Sequence, residues 1–291
     1  MGHMTTLAVD AKASGTITFG HLTVNRLGYG AMRITGDGIW GEPKDAEECK
    51  RVLRRAVELG VNFIDTADSY GPEVSERLIG EALAPYTKDL IIGTKAGFTR
   101  QGPGLWAVVS RPEYLQQQVE MSLRRLKLER IDLWQLHRID AKVPVEESLG
   151  VIKKLQEQGK IKDVGLSEVS VKEIDQARKV IEIVSVQNKY NMEDREAEDV
   201  VDYCTKNKLA FIPWNPIGAG RLAKPGGKLD EVAKRHGFTV GQLSIAWLLH
   251  RTPMMLPIAG TSTVKHLEEN VAAASVKLSE AEWDEIEAAS K

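Results

Sequence analysis

A (β/α)8 TIM barrel with an N-terminal β-hairpin is the fold this sequence predicts, on three observations. Short apolar runs alternate with helical stretches along nearly the whole chain. Such alternation implies parallel strands with right-handed crossovers. Eight units can be counted with no evident linker between them, which favours a closed barrel over an open doubly wound sheet. No Gly-x-Gly-x-x-Gly turn joins the first strand to the first helix, which also weighs against the open sheet, the alternative arrangement. The 291 residues, 42% of them hydrophobic, are ample for a large core, and barrels of this size are commonly one domain. A single domain is therefore expected over 15–291. Residues 1–14 are expected as a loose arm whose start, Met1-Gly2-His3-Met4, looks like a cloning remnant.

Taken in order, Thr16–Phe19, Gly20-His21 and Leu22–Val24 read as a hairpin with alternating apolar positions. The first barrel strand covers Leu27 to Met32, and its glycines would let another group approach the backbone. A Gly-rich loop from Ile34 to Pro43 carries Trp40. The helix from Asp45 to Leu59 has Val52, Leu53, Ala56 and Val57 at helical spacing and stops at Gly60. Strands at 61–65, 89–94, 131–136, 161–166, 183–187, 209–213 and 255–259 then alternate with helices. These are expected at 73–83, 112–126, 145–158, 171–182, 194–207, 228–236, 240–251 and 264–274. A long loop follows the strand at 89–94. The last helix, 279–290, opens with Ser279 and Glu282 at capping-box spacing.

The chemistry is expected where these strands end. Val61–Asp65 emerges into Thr66-Ala67-Asp68-Ser69-Tyr70, and the next strands deliver Lys95, His137 and Ser167. In parallel α/β folds reactive groups gather at the carboxyl ends of strands. An Asp, a Tyr, a Lys and a His on one rim suit proton transfer to a polarised carbonyl. A phenol with a pKa near ~10 donates poorly near neutrality, and the Lys95 ammonium, oriented by Asp65, would lower that value. Taken singly, an Asp–Lys pair, a strand-end Tyr or a lone His is usually structural. Four at consecutive strand ends make coincidence much harder to sustain.

Other chemistries are disfavoured. The net charge of -2 gives no reason to expect nucleic acid or an anionic membrane as partner. No apolar run approaches the ~20 residues of a spanning helix, and no signal peptide is evident, so a cytoplasmic location is expected. Cys49 and Cys204 lie in separate predicted helices and are expected as reduced thiols, a disulfide being the alternative. The six histidines are scattered without ligand spacing, so no metal site is expected. No Gly-x-Ser-x-Gly elbow is present either.

Two later stretches offer a dinucleotide site. Trp214–Leu222 puts an aromatic face before a glycine-rich loop able to fold over a pyrophosphate. Pro257–Val264 leads into a helix N-terminus, where N–H groups and the dipole favour anions. Ordinary turns are the competing reading of both.

The chain resembles the aldo-keto reductase superfamily from about Gly15 to the last helix. The resemblance rests on Asp65-Thr-Ala-x-x-Tyr70-Gly71, Gly93-Thr94-Lys95, Leu136-His137, Gly165-Leu166-Ser167, Gln187-x-x-Tyr190-Asn191, Pro216-Ile217-x-x-Gly220 and Leu267-Glu268-Glu269-Asn270. Members are (β/α)8 barrels, closed below by a hairpin, that reduce aldehydes or ketones with NADPH and no metal. The resemblance implies Tyr70 as general acid, Lys95 tuning it, Asp65 pairing with Lys95, and His137 orienting the carbonyl. It implies Trp214 against the nicotinamide, with Ser167, Glu168 and Gln187 at its carboxamide. Gly30, Ala31 and Met32 fall on the cofactor side. Asn215, Ile217, Gly220 and Leu222 fall in the pyrophosphate loop, and Gly260, Thr261, Ser262, His266, Glu269 and Asn270 at the adenosine end. Glu168 departs from the family's usual Asn, and His266 and Gly260 stand where many members have Arg and Lys. Loop sequences, among them Ile39-Trp40-Gly-Glu-Pro43, look most like the bacterial pyridoxal reductase subgroup, with Trp40 and Trp106 as pocket or as loop anchors. The expected function is NADPH-dependent reduction of a small carbonyl substrate. A Schiff-base lyase using Lys95 and a cofactor-binding regulatory subunit are the alternatives. The oligomeric state is not readable from the sequence.

Overall fold

The structure, a computed structural model, describes residues 9–218 and 225–290. Most of the expected arm therefore lies outside the described residues, but from Val9 on the chain is not loose. Asp10 caps a 3-10 turn, Ala11–Ser14, and the buried Ala11 donates its N–H to the Leu59 carbonyl at 2.8 Å.

Strands β1 (Thr16–Phe19) and β2 (Leu22–Asn25) form the expected antiparallel hairpin. Its alternation buries Ile17, Phe19, Leu22 and Val24 against Phe63, Leu133, Val184, Ala210, Ile212, Leu256 and Ile258. Those partners come from barrel strands ahead of their catalytic ends, so the hairpin plugs the bottom. Asp163 fastens it, accepting from the His21 N–H at 3.1 Å.

The barrel follows in order: β3 (Tyr29–Gly30), α1 (Ala46–Glu58), β4 (Phe63–Asp65), α2 (Val74–Leu83) and β5 (Ile91–Ala96). After the small hairpin β6 (Phe98–Gly102) and β7 (Leu105–Val108) come α3 (Pro112–Leu126), β8 (Ile131–Leu136), α4 (Val145–Glu157) and β9 (Ile161–Ser167). Then follow α5 (Val171–Ala177), β10 (Ser185–Gln187), α6 (Glu198–Asn207) and β11 (Ala210–Phe211). The chain ends with α7 (Lys228–His236), α8 (Val240–Arg251), α9 (Val264–Ala272) and α10 (Glu280–Ser290). Seven strands, β3, β4, β5, β8, β9, β10 and β11, form one parallel sheet in that spatial order.

The expected eighth strand at 255–259 is reduced to two parallel bridges, Met255 to Phe211 and Ile258 to Gly28. They join the two edges of the sheet and close the ring, with Leu256 N–H on Phe211 O at 2.9 Å and Gly28 N–H on Pro257 O at 2.9 Å. Pro257 has no N–H to extend a ladder, which fits a closure by bridges rather than a full strand.

Local signals explain the helices. Asp45 caps α1 by accepting from the Glu48 N–H at 2.8 Å, and Cys49, Val52, Leu53 and Ala56 bury one face. Capping boxes open α5 (Ser170, Glu173) and α8 (Thr239, Gln242). Glu282 reaches back to the Ser279 N–H at 2.7 Å, as its spacing predicts. Helix α6 begins four residues later than expected. The Asn191 side chain takes the Glu193 and Asp194 N–H groups and holds that stretch as a turn. Cys49 and Cys204 are separate buried thiols.

Candidate active site

The parallel register brings the polar strand ends into one layer. Asp65 pairs with Gly93, Lys95 with Gln135, and Gln187 with Ser167. Lys95 is fully buried, and its Nζ donates to Asp65 Oδ2 at 2.5 Å and to the Thr66 carbonyl at 2.8 Å. Asp65 Oδ1 accepts from Gln135 Nε2 at 3.1 Å and Gln187 Nε2 at 2.9 Å. Both carboxylate oxygens are thus satisfied, as a buried charge requires. Burial lowers the Lys95 pKa, and the Asp65 charge opposes that shift. Gln135 and Thr66 complete this layer without having been singled out in the sequence.

Tyr70 and His137 stand beside it. Lys95 Nζ is 5.2 Å from the centre of the Tyr70 ring, and the His137 ring meets it edge-on with centroids 5.9 Å apart. Burial, and then the Asp65 charge, raise the Tyr70 pKa well above its ordinary value, while Arg138 opposes them. The expected depression by Lys95 is not realised: burial and the Asp65 charge govern the phenol, and the cation that opposes them is Arg138. Burial, then Lys95 and Arg138, push the His137 pKa well below its ordinary value, so the imidazole is neutral. Ser69 Oγ lies 3.5 Å from His137 Nδ1, long for a hydrogen bond.

Arg138, which the sequence reading passed over, follows His137 at the end of β8. Its Nη1 donates to His137 O at 2.6 Å and to Ser167 Oγ at 3.2 Å, and its guanidinium lies 5.2 Å from the centre of the Phe98 ring. Gly97 makes this approach possible: it sits at φ +151°, and a Cβ there would meet Arg138 N at 2.9 Å. Phe98 also packs edge-on against His137, centroids 4.8 Å apart.

The tryptophans expected at the pocket are organised by Arg100. Trp106 lies 3.6 Å from its guanidinium carbon and Trp40 5.8 Å. The same group donates to carbonyls of Ile39 (2.8 Å), Gly38 (2.9 Å), Ser69 (2.7 Å) and Leu105 (2.8 Å). Three segments are thereby pinned together at the mouth. Trp40 also bridges Gly71, next to Tyr70, and the Trp106 and His137 ring centroids are 6.4 Å apart. Both indoles are loop anchors that also stand within reach of the reactive rim.

Behind Tyr70 lies a second buried acid. The Tyr114 hydroxyl is 2.8 Å from Asp68 Oδ2 and 2.7 Å from the Phe98 carbonyl. One hydroxyl proton cannot serve two acceptors. The pattern closes when Asp68 is protonated and donates to Tyr114, which donates to Phe98 O. Burial, and then the nearby Glu76 charge, push the Asp68 pKa up to about 7.

On the side expected for the cofactor, Glu168 holds a left-handed backbone (φ 54°). Its Oε1 accepts from Trp214 Nε1 at 2.5 Å and from the Lys189 N–H at 2.7 Å. The carboxylate therefore tethers the indole that the resemblance sets against the nicotinamide. Gln187 spends Nε2 on Asp65 and Ser167 is buried at the strand end. Gly30 and Gly260 are explained by packing. A Cβ on Gly260 would meet Gly30 O at 2.5 Å, and one on Gly30 would meet Ile258 O at 2.6 Å. The Ala31 carbonyl accepts from Ser75 Oγ at 2.9 Å, and Met32 follows it half-buried. The Thr261 carbonyl accepts from Tyr29 at 2.5 Å. Asn215 is exposed at φ 55° and Ile217 is half-buried. Gly220 and Leu222 lie outside the described residues.

At the adenosine end, Thr263 caps α9, and Ser262 and His266 are exposed beside it. Glu269 is half-buried and Asn270 buried further along this helix. The first α9 N–H, on Val264, is held by Glu48 Oε1 at 3.1 Å, which no sequence signal announced.

A family model, described as "Aldo/keto reductase family", matches residues 26–291. The chain belongs to the aldo/keto reductase family. As a member it is an NAD(P)H-dependent oxidoreductase with a (β/α)8 barrel. This aldo/keto reductase is 54% identical over 272 residues to Uncharacterized oxidoreductase C215.11c of Schizosaccharomyces pombe, covering 94% of this chain and 89% of that protein. It is 42% identical over 274 residues to pyridoxine 4-dehydrogenase of Escherichia coli, covering 92% and 96% respectively. That relative agrees with the resemblance to a pyridoxal reductase-like subgroup. Among solved structures, the aldo/keto reductase from Klebsiella pneumoniae in complex with NADP and acetate superposes with a TM-score of 0.78. Sequence identity is 25%, with 93% of each chain covered.

Proposed function

We propose that the protein reduces small aldehydes to alcohols, pyridoxal among them, with NADPH as the preferred cofactor and Tyr70 as the proton donor. The observation that carries this reading is the assembly of Asp65, Tyr70, Lys95 and His137 in one buried layer at the strand ends. The residues present fit a nicotinamide cofactor. Trp214, held by Glu168, offers an indole face, while the Ser167 hydroxyl and the Gln187 amide oxygen offer hydrogen-bonding partners for a carboxamide. Thr261, Ser262, Lys265 and His266 surround the start of α9, where a phosphate would be favoured. When bound, the reduced cofactor supplies the hydride.

The rest falls to the chain. The Tyr70 O–H bond breaks as its proton passes to the substrate oxygen, leaving a phenolate. Burial and the Asp65 charge disfavour that anion, and the positive charge of Arg138 offsets part of the cost. His137, neutral, offers an N–H hydrogen bond to the same oxygen without giving up its proton. Asp65 holds Lys95 in place and keeps it charged. A Schiff-base role suits Lys95 poorly, because its Nζ is fully buried and committed to two acceptors.

Tyr70→Phe tests the reading. It should lower kcat by about 10²-fold or more, the usual contribution of a positioned acid, with NADPH affinity retained. Near-normal turnover of pyridoxal and benzaldehyde in that variant would remove Tyr70 from the role.

A further inference from the structure

Arg138 is a cation at the reactive rim with three of its five donors unused. A guanidinium carries five N–H groups in a fixed fork. The two on Nη1 are spent on His137 O (2.6 Å) and Ser167 Oγ (3.2 Å). Those on Nε and Nη2 have no hydrogen-bond partner among the described residues, and no carboxylate there forms an ion pair with Arg138. Its group is half-buried, with the Phe98 ring centre 5.2 Å from the guanidinium carbon. The surroundings already feel the charge: it opposes the rise of the Tyr70 pKa and adds to the fall of the His137 pKa.

A Nε–Nη2 edge presents two parallel N–H groups, a geometry that suits an anionic oxygen. The residue before it in the chain is His137, which in the proposed mechanism contacts the substrate carbonyl oxygen. An anionic oxygen near Arg138 would therefore sit close to the reacting carbonyl on the same small molecule. We propose that Arg138 is a specificity-determining residue whose free edge pairs with an ionised hydroxyl adjacent to the reacting carbonyl. The preferred substrates are then aromatic aldehydes bearing an ortho oxide. Pyridoxal, with its ring hydroxyl next to the formyl group, is one of that class. This inference rests on the carbonyl-reductase reading and refines its substrate class.

The test compares benzaldehyde, 2-hydroxybenzaldehyde and 2-methoxybenzaldehyde with NADPH. Wild type, Arg138→Met and Arg138→Lys are assayed at a pH below and a pH above ionisation of the substrate phenol. Comparing variants at one pH cancels effects on Tyr70 common to all three aldehydes. Wild type should favour the ionised 2-hydroxy substrate over the 2-methoxy one. Arg138→Met should cut that kcat/KM ratio by roughly 10- to 100-fold, the range of a charge-assisted hydrogen bond. Arg138→Lys should recover part of it, as a charge without the fork. NADPH titration by protein fluorescence establishes that each variant is folded and binds cofactor. A ratio unchanged in Arg138→Met, or one indifferent to ionisation of the substrate, overturns the proposal. Equal losses with all three aldehydes together with weakened NADPH binding overturn it too, assigning Arg138 to the cofactor. Absence of turnover with every aldehyde sinks the reductase reading and this proposal with it. Turnover with an unchanged ratio sinks this proposal alone.

Discussion

Asp68 and Tyr70 are two residues apart, and burial raises the pKa of both, but only Asp68 sits at a pKa that physiological pH can cross. The charged and polar groups facing Asp68 are Glu76, Tyr114, Arg125, Tyr70 and Lys95. Its folded pKa of about 7 lies above the unfolded value of ~3.9. The native state therefore binds the extra proton between those values. Its contribution to stability is complete below about pH 4 and is lost as pH rises through 7. Asp68→Asn removes the titration and can still donate to Tyr114. Relative to wild type it should gain about 2 kcal/mol, roughly 5 °C in Tm, between pH 5 and pH 8. Melting curves at the two pH values check this, and parallel shifts of the two proteins would refute it. Residues of this kind were hidden in the sequence because their meaning depends on a partner far along the chain. Asp65, Tyr70, Lys95 and His137 were legible because each stands at a strand end or, for Tyr70, in the loop just beyond one. Glu168 was visible as an anomaly, but its hold on Trp214 spans 46 positions and no local pattern encodes it. Arg138 was overlooked beside a more conspicuous histidine, although an Arg at a strand end was signal enough.

At the scale of elements, α9 and α1 meet where a phosphate would be read. Glu48 places a carboxylate on the first N–H of α9, a position where the helix dipole favours anions in general. If the proposed NADPH site is right, this carboxylate would compete with the 2′-phosphate for that N-terminus. Glu48→Gln keeps an acceptor for Val264 and removes the charge. The variant should raise the affinity ratio of NADPH over NADH by roughly 2- to 5-fold. Titration of both cofactors decides, and an equal change in the two would place Glu48 away from the phosphate. Helices α3, α7 and α8 kept their expected bounds, whereas α5, despite its capping box, ends at Ala177 rather than 182. The β6–β7 hairpin was missed although Gly102-Pro103-Gly104 between Phe98 and Val108 is a turn flanked by strand formers. The eighth strand was placed correctly but overestimated in regularity, since ladder continuity depends on neighbours rather than on its own apolar run.

Over the whole molecule, the two ends of the barrel have separate duties. The hairpin β1–β2 seals the bottom with side chains that touch none of the reactive groups. Phe19→Ala should therefore cost about 3–5 kcal/mol in urea unfolding while leaving kcat per folded molecule unchanged. A large fall in kcat at full occupancy of the folded state would show the two ends to be coupled. The mouth is assembled differently. Arg100 binds the backbone of the 34–43 loop, of the segment before Tyr70 and of the β6–β7 hairpin through one guanidinium. Those three stretches are consequently one mechanical unit. A graft that imports one of them from a relative strands hydrogen-bond donors or acceptors in the other two. Chimeras should respect that seam, exchanging all three loops together with the arginine or none of them.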